Sequence, residues 1–219
     1  MVKVFIAGAA GKVGRRLAKR LADRGHGVSA LHRRPEQRAE LLSLGAQPVQ
    51  GSLTELDVQS LARLMAGSDV VVFTAGAGGA GIEQTNAIDG RGLEICVDAA
   101  RMAGIKRLLL VSAFPEAARA SDTSPGFENY MAVKKCADVY LASSDLDWVI
   151  LRPGTLVDRP GTGAVSAGLA IAYGEIARDD VAAFLARLVD EPAIHHLIIE
   201  LTGGDMPIEK AVLRLGLRR

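Results

Sequence analysis

The sequence is short of the features that would place it in several broad classes. It has only two cysteines in 219 residues, Cys96 and Cys136, far apart and without a Cys-x-x-Cys partner, which excludes a disulfide framework. Both lie in segments of helical period and are expected to be buried, reduced thiols. No apolar run approaches the roughly 18 residues of a membrane span. No basic stretch with an apolar core and cleavage site opens the chain. A cytoplasmic protein without a membrane partner is therefore expected. Charge of either sign is not in excess: 26 basic against 25 acidic residues leave a formal net charge of +1. Such a surface has no field to draw in nucleic acid, so a bound anion has to be held by local geometry. The four histidines, His26, His32, His195 and His196, show no ligand spacing, and the adjacent pair is expected to point to opposite faces of a strand, so no metal centre is expected. There is no low-complexity tract and no internal repeat beyond the alternation described next.

What is present is a chain 49% hydrophobic and 23% charged, the composition of a globular domain, and long enough to bury one core without staples. Val2 to Ala7 is an apolar, β-branched run, followed by a glycine-rich turn and a segment with Leu17 and Leu21 four apart, the spacing of one buried helical face. The alternation repeats through strands at 28–31, 48–50, 70–74, 107–112 and 148–151. Helices are expected at 36–44, 55–65, 86–103 and 129–142. Six strands alternating with helices predict α/β architecture, a Rossmann-type doubly wound parallel sheet with right-handed crossovers, complete at the sixth strand. Beyond Pro153 the glycines multiply, and a helix (179–189), a strand (197–201) and a last helix from Ile208 are expected to form a small C-terminal cap on the substrate side. Residues 1–219 thus read as a single domain, with 153–219 including that cap.

Three motifs carry chemistry. Gly8-Ala9-Ala10-Gly11-Lys12-Val13-Gly14 lies directly between the first strand and its helix. There the first glycine permits a tight turn, the second lets backbone approach a pyrophosphate, and the third lets helix and strand pack closely. The bland alternative is a packing turn. About 20 residues on, where an acid would accept the ribose 2′-hydroxyl of NAD, the chain has Leu31-His32-Arg33-Arg34-Pro35. Two guanidinium groups suit a 2′-phosphate, so NADP(H) is expected over NAD, the alternative being solvated arginines. Finally, Tyr130 and Lys134 are four apart on the helix after the fifth strand. An ammonium beside a phenol is expected to lower its pKa toward working pH, suiting proton transfer at a carbonyl or alcohol. Ser112 could bind the same oxygen or merely cap a turn. Catalytic residues are therefore expected at Tyr130, Lys134 and Ser112. Gly76 to Gly81 reads as a flexible loop or a flap over the cofactor. The stretch 113–127, with Phe114, Glu116, Asp122 and Phe127, has the length of a substrate lid, and 156–162, with Asp158-Arg159-Pro160, reads as a substrate-side loop or an exposed turn.

Together the glycine motif, Tyr-x-x-x-Lys and strand order resemble the short-chain dehydrogenase/reductase superfamily. Val71 to Gly76, Ala99 to Arg107, Leu151 to Gly154 and Ile176 to Ala182 resemble its atypical NAD(P)H-binding branch, which includes sugar-epimerase-like proteins, NmrA-like regulators and the flavin/biliverdin-reductase type. The resemblance runs over nearly the whole chain. It implies that Gly8, Gly11, Lys12, Val13 and Gly14 wrap the pyrophosphate and that Arg33, with Arg34, holds the 2′-phosphate. Thr74, Ala75 and Gly76 would line the nucleotide, Lys134 and Ser112 would meet the nicotinamide ribose and reacting oxygen, and Pro153, Gly154 and Thr155 would border the nicotinamide. Two departures stand out. Relatives carry Gly-Asp-Leu at the adenine where this chain has Gly51-Ser52-Leu53, which implies a weaker or water-mediated contact from Ser52 and Leu53. The serine-rich turn of catalytic relatives is here Val111-Ser112-Ala113-Phe114. The activity implied is an NADP(H)-dependent oxidoreductase acting on a small carbonyl or alcohol, as a monomer or homodimer. The alternatives are a non-catalytic NADP(H)-binding sensor and, with little room after Pro153 for a substrate domain, a sugar epimerase or dehydratase.

Overall fold

The computed structural model describes residues 1–115, 117 and 123–217. Strand β1 (Lys3–Ala7) leads into α1 (Lys12–Asp23), then β2 (Gly27–His32), α2 (Gln37–Ser43), β3 (Gln47–Gln50), α3 (Val58–Met65) and β4 (Val70–Phe73). After β4 the chain runs through a short helix α4 (Ile82–Thr85), a π-helical turn (Asn86–Arg91) and α5 (Gly92–Met102) into β5 (Arg107–Val111), α6 (Pro125–Ala142) and β6 (Asp147–Pro153). The period-two pattern of β1 explains its position. Val4 and Ile6 enter the core on one face and Phe5 and Ala7 on the other, all fully buried. On α1, Val13, Leu17 and Leu21 form one buried stripe at i, i+4, i+8. The helix α6 starts earlier than its period suggests because Ser124 accepts from the Phe127 N–H and Pro125 takes the first helical turn.

The sheet does not end at six strands. Its order is β11-β8-β10-β6-β5-β4-β1-β2-β3, with β7 (Thr155–Val157), β8 (Ala164–Gly168), β9 (Glu175–Ala177), β10 (Leu197–Gly203) and β11 (Met206–Pro207) all lying after Pro153. Strand β10 continues the parallel sheet beside β6, with Leu197 opposite Val149, and β8 closes it antiparallel to β10. Helix α7 (Arg178–Val189) joins α1 on one face of the sheet, in one hydrophobic cluster with α8 (Ile208–Gly216). Helices α3, α5 and α6 cover the other. The expected cap is thus largely an extension of the sheet and of one helical layer, with only β7 and β9 forming a separate parallel pair at its edge. The two cysteines also part company. Cys96 is fully buried in α5 and burial pushes its thiol pKa up, whereas Cys136 is exposed. Two residues beyond the inward-facing Lys134, Cys136 is about 200° further around the helix and so on its outer side. Among the described residues, no helix is long and apolar enough to cross a membrane.

Candidate functional site

Because β1, β2, β4, β5, β6 and β10 are parallel, the loops after all of them gather at one edge, and the order reverses direction at β1, between β2 and β4. Open α/β sheets bind ligands at such a point. The glycine turn sits there. Gly8 has φ +86, and a Cβ on it would lie 2.4 Å from the backbone nitrogen of Ala75, so the turn after β1 is pressed against the turn after β4. A Cβ on Gly14 would lie 2.3 Å from the Gly8 carbonyl oxygen, inside contact distance. Thr74 reinforces this seam, its hydroxyl donating to the carbonyls of Ala7 and Gly8 at 3.1 and 3.2 Å. Gly11 is the N-cap of α1, no side chain caps that helix, and its first turn carries no acid. The first N–H groups of an α-helix lack intrahelical acceptors. With the glycines leaving backbone exposed above them, they present donors and a positive dipole end to an anion, which fits the pyrophosphate of a dinucleotide. Val13 and Gly14 are buried, and Lys12 is exposed and paired with Asp158 at 2.5 Å.

At the end of β2 the two arginines differ. Arg34 pairs with Glu36 at 3.3 Å, whereas no carboxylate among the described residues pairs with the exposed Arg33. His32 lies buried beneath them, its Nδ1 3.0 Å from the Arg34 carbonyl. After β3, Ser52 is buried and its hydroxyl is engaged with Thr54 at 2.8 Å, with Leu53 packed below. Ala75 lies against Gly8, and Gly76 leaves only 3.1 Å between an added Cβ and Asp89 Oδ1. Pro153 and Gly154 are buried, with a Cβ on Gly154 blocked by the Gly174 carbonyl, and the Thr155 hydroxyl bonds that of Tyr173. Tyr173 in turn packs edge-on against buried Phe114 at 5.3 Å. Of the expected lid residues, Glu116 and Asp122 lie outside the described residues.

The tyrosine and lysine occupy one face of α6, but not as the spacing suggests. Lys134 is 3% exposed; its Nζ donates to the Val111 carbonyl at 2.9 Å and lies 3.6 Å from Asp89 Oδ1. Its ammonium is therefore committed to the end of β5 and to the π-helical turn. Tyr130 is not acidified. Burial, then the carboxylates of Asp89 and Asp138, push its pKa up to about 12. The expected phenolate is replaced by a firmly protonated phenol. Burial lowers the pKa of Lys134, against the pull of Asp89 and Asp138.

Below this pair is a polar cluster that none of the sequence motifs contains. Asp138, one turn beyond Lys134, accepts from Arg152 of β6 at 2.9 Å. Burial raises its pKa, opposed by the Ser112 hydroxyl and by Arg152. The Ser112 oxygen is buried and near Asp138, yet neither it nor Asp138 Oδ1 completes a hydrogen bond of good geometry. Asp89 completes the frame, accepting from the Ala77 N–H at 2.8 Å. The available signal was the period itself: Tyr130, Lys134 and Asp138 are successive i, i+4 positions, and two charges on the inward face of one helix demand partners. Asp158, in the 156–162 loop, is half-exposed and held between Lys12 and Arg178, the latter at 3.0 Å.

The site's residues thus combine a glycine turn at a helix N-terminus with a tyrosine–lysine helix at one sheet edge. The family model for NAD(P)H-binding proteins matches residues 8–192. An uncharacterized sugar epimerase of Bacillus subtilis, YhfK, is 38% identical over 216 residues, spanning 98% of this chain and all of that protein. A Bacillus halodurans structure named for the NAD-dependent epimerases/dehydratases superposes with a TM-score of 0.89 at 34% identity, covering 98% of this chain and 100% of the other. The oxidoreductase ylbE of Lactococcus lactis gives 0.85 at 25% identity, over 99% and 97%. The chain belongs to the NAD(P)H-binding family, of the atypical short-chain dehydrogenase/reductase type, whose members are oxidoreductase- or epimerase-like.

Proposed function

We propose that the protein is an NADP(H)-dependent reductase of a small carbonyl compound, and in reverse a dehydrogenase of the alcohol. The observation that carries this reading is Tyr130, a phenol kept protonated by burial one helical turn before the fixed Lys134, on the sheet edge that also carries the glycine turn. Bound there, the cofactor would supply the hydride. Gly8, Gly11 and the first turn of α1 would hold its pyrophosphate. Arg33, which no carboxylate among the described residues pairs and which stands where an NAD-preferring site would have an acid, would hold the 2′-phosphate; charged hydrogen bonds of about 1.5–3 kcal/mol each predict at least tenfold preference over NADH. Lys134, oriented by Val111 and Asp89, would bind the ribose. Tyr130 would give its O–H proton to the carbonyl oxygen as the alcohol forms. A phenol with a pKa near 12 is fully protonated at neutral pH, the state that reduction requires.

One observation favours a second reading. The Ser112 hydroxyl is buried toward Asp138, leaving the tyrosine without its usual partner for the reacting oxygen, as in a protein that binds NADP(H) and signals its state without turnover. Nicotinamide fluorescence titration with NADPH and NADH, alongside an oxidation assay over carbonyls, quinones and flavins, separates the two. A reductase binds NADPH tightly and oxidises it with at least one acceptor. Its turnover then drops by about 10²-fold or more in Tyr130→Phe, while NADPH affinity is kept. Ionisation of Tyr130 should cost its kcat/KM for reduction nothing through neutral pH, because the phenol gives up its proton only as pH nears 12. Equal NADH affinity sinks the role of Arg33, and unchanged turnover in Tyr130→Phe sinks that of the phenol.

A further inference from the structure

We propose that Asp147, His195 and His196 form a binding site for a late first-row divalent cation such as Zn²⁺ or Cu²⁺, at the sheet edge opposite the nucleotide turn. The two histidines do not sit within a strand with opposed side chains. They precede β10, and His196 has φ +50, the only left-handed non-glycine backbone among the described residues. That turn brings both imidazoles to one side, their Nδ1 atoms 3.2 Å apart. Asp147, at the start of β6, places Oδ1 3.8 Å from the His195 Nδ1. One ligand atom from each of the three lies within 4.8 Å of the others. Ligands at about 2.0–2.1 Å around a tetrahedral zinc are separated by roughly 3.3 Å, near the 3.2 and 3.8 Å that His195 Nδ1 makes to His196 and Asp147, so a small side-chain rotation of Asp147 closes the set.

The tautomer also fits. His196 Nε2 lies 2.9 Å from the Leu146 carbonyl, which can only accept, so the proton of the neutral ring sits on Nε2 and the Nδ1 lone pair points at the cluster. A carbonyl behind a histidine is the usual way that ring is oriented for a metal. Two imidazoles and one carboxylate suit Zn²⁺, Cu²⁺ or Ni²⁺, whereas Mg²⁺ and Ca²⁺ require oxygen shells. The His195 side chain is 34% exposed, leaving water access to the remaining coordination positions. Bound there, the ion staples the start of β10 to the start of β6. The proposal is independent of the cofactor assignment, because these strand starts lie at the opposite edge from the nucleotide turn.

The test uses full-length, tag-free protein stripped with a chelator. Trp148 is the single tryptophan and its ring centroid lies 5.5 Å from that of His196, so Cu²⁺ at this site quenches the intrinsic emission. Titration with CuCl₂ should show saturable quenching that ZnCl₂ relieves, and calorimetry with ZnCl₂ should show one equivalent. MgCl₂ and CaCl₂ should do neither. His195→Gln, and His196→Asn with a residue tolerant of positive φ, should weaken Zn²⁺ binding roughly tenfold or more and keep NADPH binding and circular dichroism unchanged. Equal Zn²⁺ affinity in either variant, an equal response to Mg²⁺, or neither heat nor quenching in the parent protein would overturn the assignment.

Discussion

A single glycine can be needed for packing or for a ligand, and the turn after β1 separates the two. Gly8 and Gly14 are required by packing even with no ligand bound: Cβ atoms there would meet backbone at 2.4 and 2.3 Å, and backbone cannot swing aside as a side chain can. Gly11 differs. Its φ of −74 is open to any residue, and an added Cβ would come no nearer than 3.1 Å to the Gly8 carbonyl. We therefore expect Gly8→Ala and Gly14→Ala to lose about 2 kcal/mol or more of stability in denaturant titration, through strain and overpacking. Gly11→Ala should lose much less, yet weaken NADPH binding about tenfold or more by standing where the pyrophosphate meets backbone. A Gly11→Ala protein that binds NADPH like the parent would reduce the whole motif to a packing turn. At this scale the sequence is legible for glycines, whose reason is local, and poorly legible for charges. The partner of Lys134 is Asp89, 45 positions away, so the i, i+4 spacing to Tyr130 pointed to a pair whose charge is spent elsewhere.

Among elements, the link between β5 and the end of α7 is made by one side chain. Arg107, first residue of β5, is 6% exposed and donates to the carbonyls of Leu188, Glu191, Pro192 and Ile194 at 2.9–3.3 Å. The last carbonyls of a helix have no intrahelical donor. Here a guanidinium from a neighbouring strand supplies the donors for the end of α7 and for the turn that follows it. Burial lowers the Arg107 pKa, but an arginine starts so high that it remains charged at working pH. Arg107→Leu keeps much of the volume and takes the guanidinium from the Pro192 and Ile194 carbonyls, whereas those of Leu188 and Glu191 keep a backbone donor, so a loss of about 3 kcal/mol is expected in denaturant titration. Arg107→Lys, with one compact donor group in place of a planar fork, should recover only part of it. A loss below about 1 kcal/mol in Arg107→Leu would show that water or backbone shifts satisfy these carbonyls instead. The βα elements were readable because each carries its own apolar period. Strands β7, β8, β9 and β11 are not, because at two to five residues they are too short to carry a period of their own and are defined by partners far along the chain.

Over the whole molecule, the first and last thirds of the chain meet at the glycine turn. Helix α1 packs on α7, Arg16 reaches Asp179 at 3.0 Å, and Asp158 lies between Lys12 and Arg178. The Lys12 hydrogen bond holds the Asp158 carboxyl below its ordinary pKa of 3.8, so this bond is present at and above that pH and is lost only as pH falls through the lowered value. At neutral pH, then, a carboxylate neutralises the cation that opens α1. Both groups are solvent-exposed, and such a pair contributes little to stability, which makes its role at the ligand edge the one to test. A pyrophosphate bound as proposed at the first turn of α1 would compete with Asp158 for Lys12 and be repelled by the carboxylate itself. Asp158→Asn removes both effects while keeping the side chain's shape. NADPH should bind several-fold more tightly to this variant, with a steeper salt dependence because Lys12 and Arg178 are freed to face the phosphates, and thermal unfolding should move little. Titration at two ionic strengths measures both quantities. Weaker binding in Asp158→Asn would reverse the assignment, making Asp158 the group that holds Lys12 in place for the ligand.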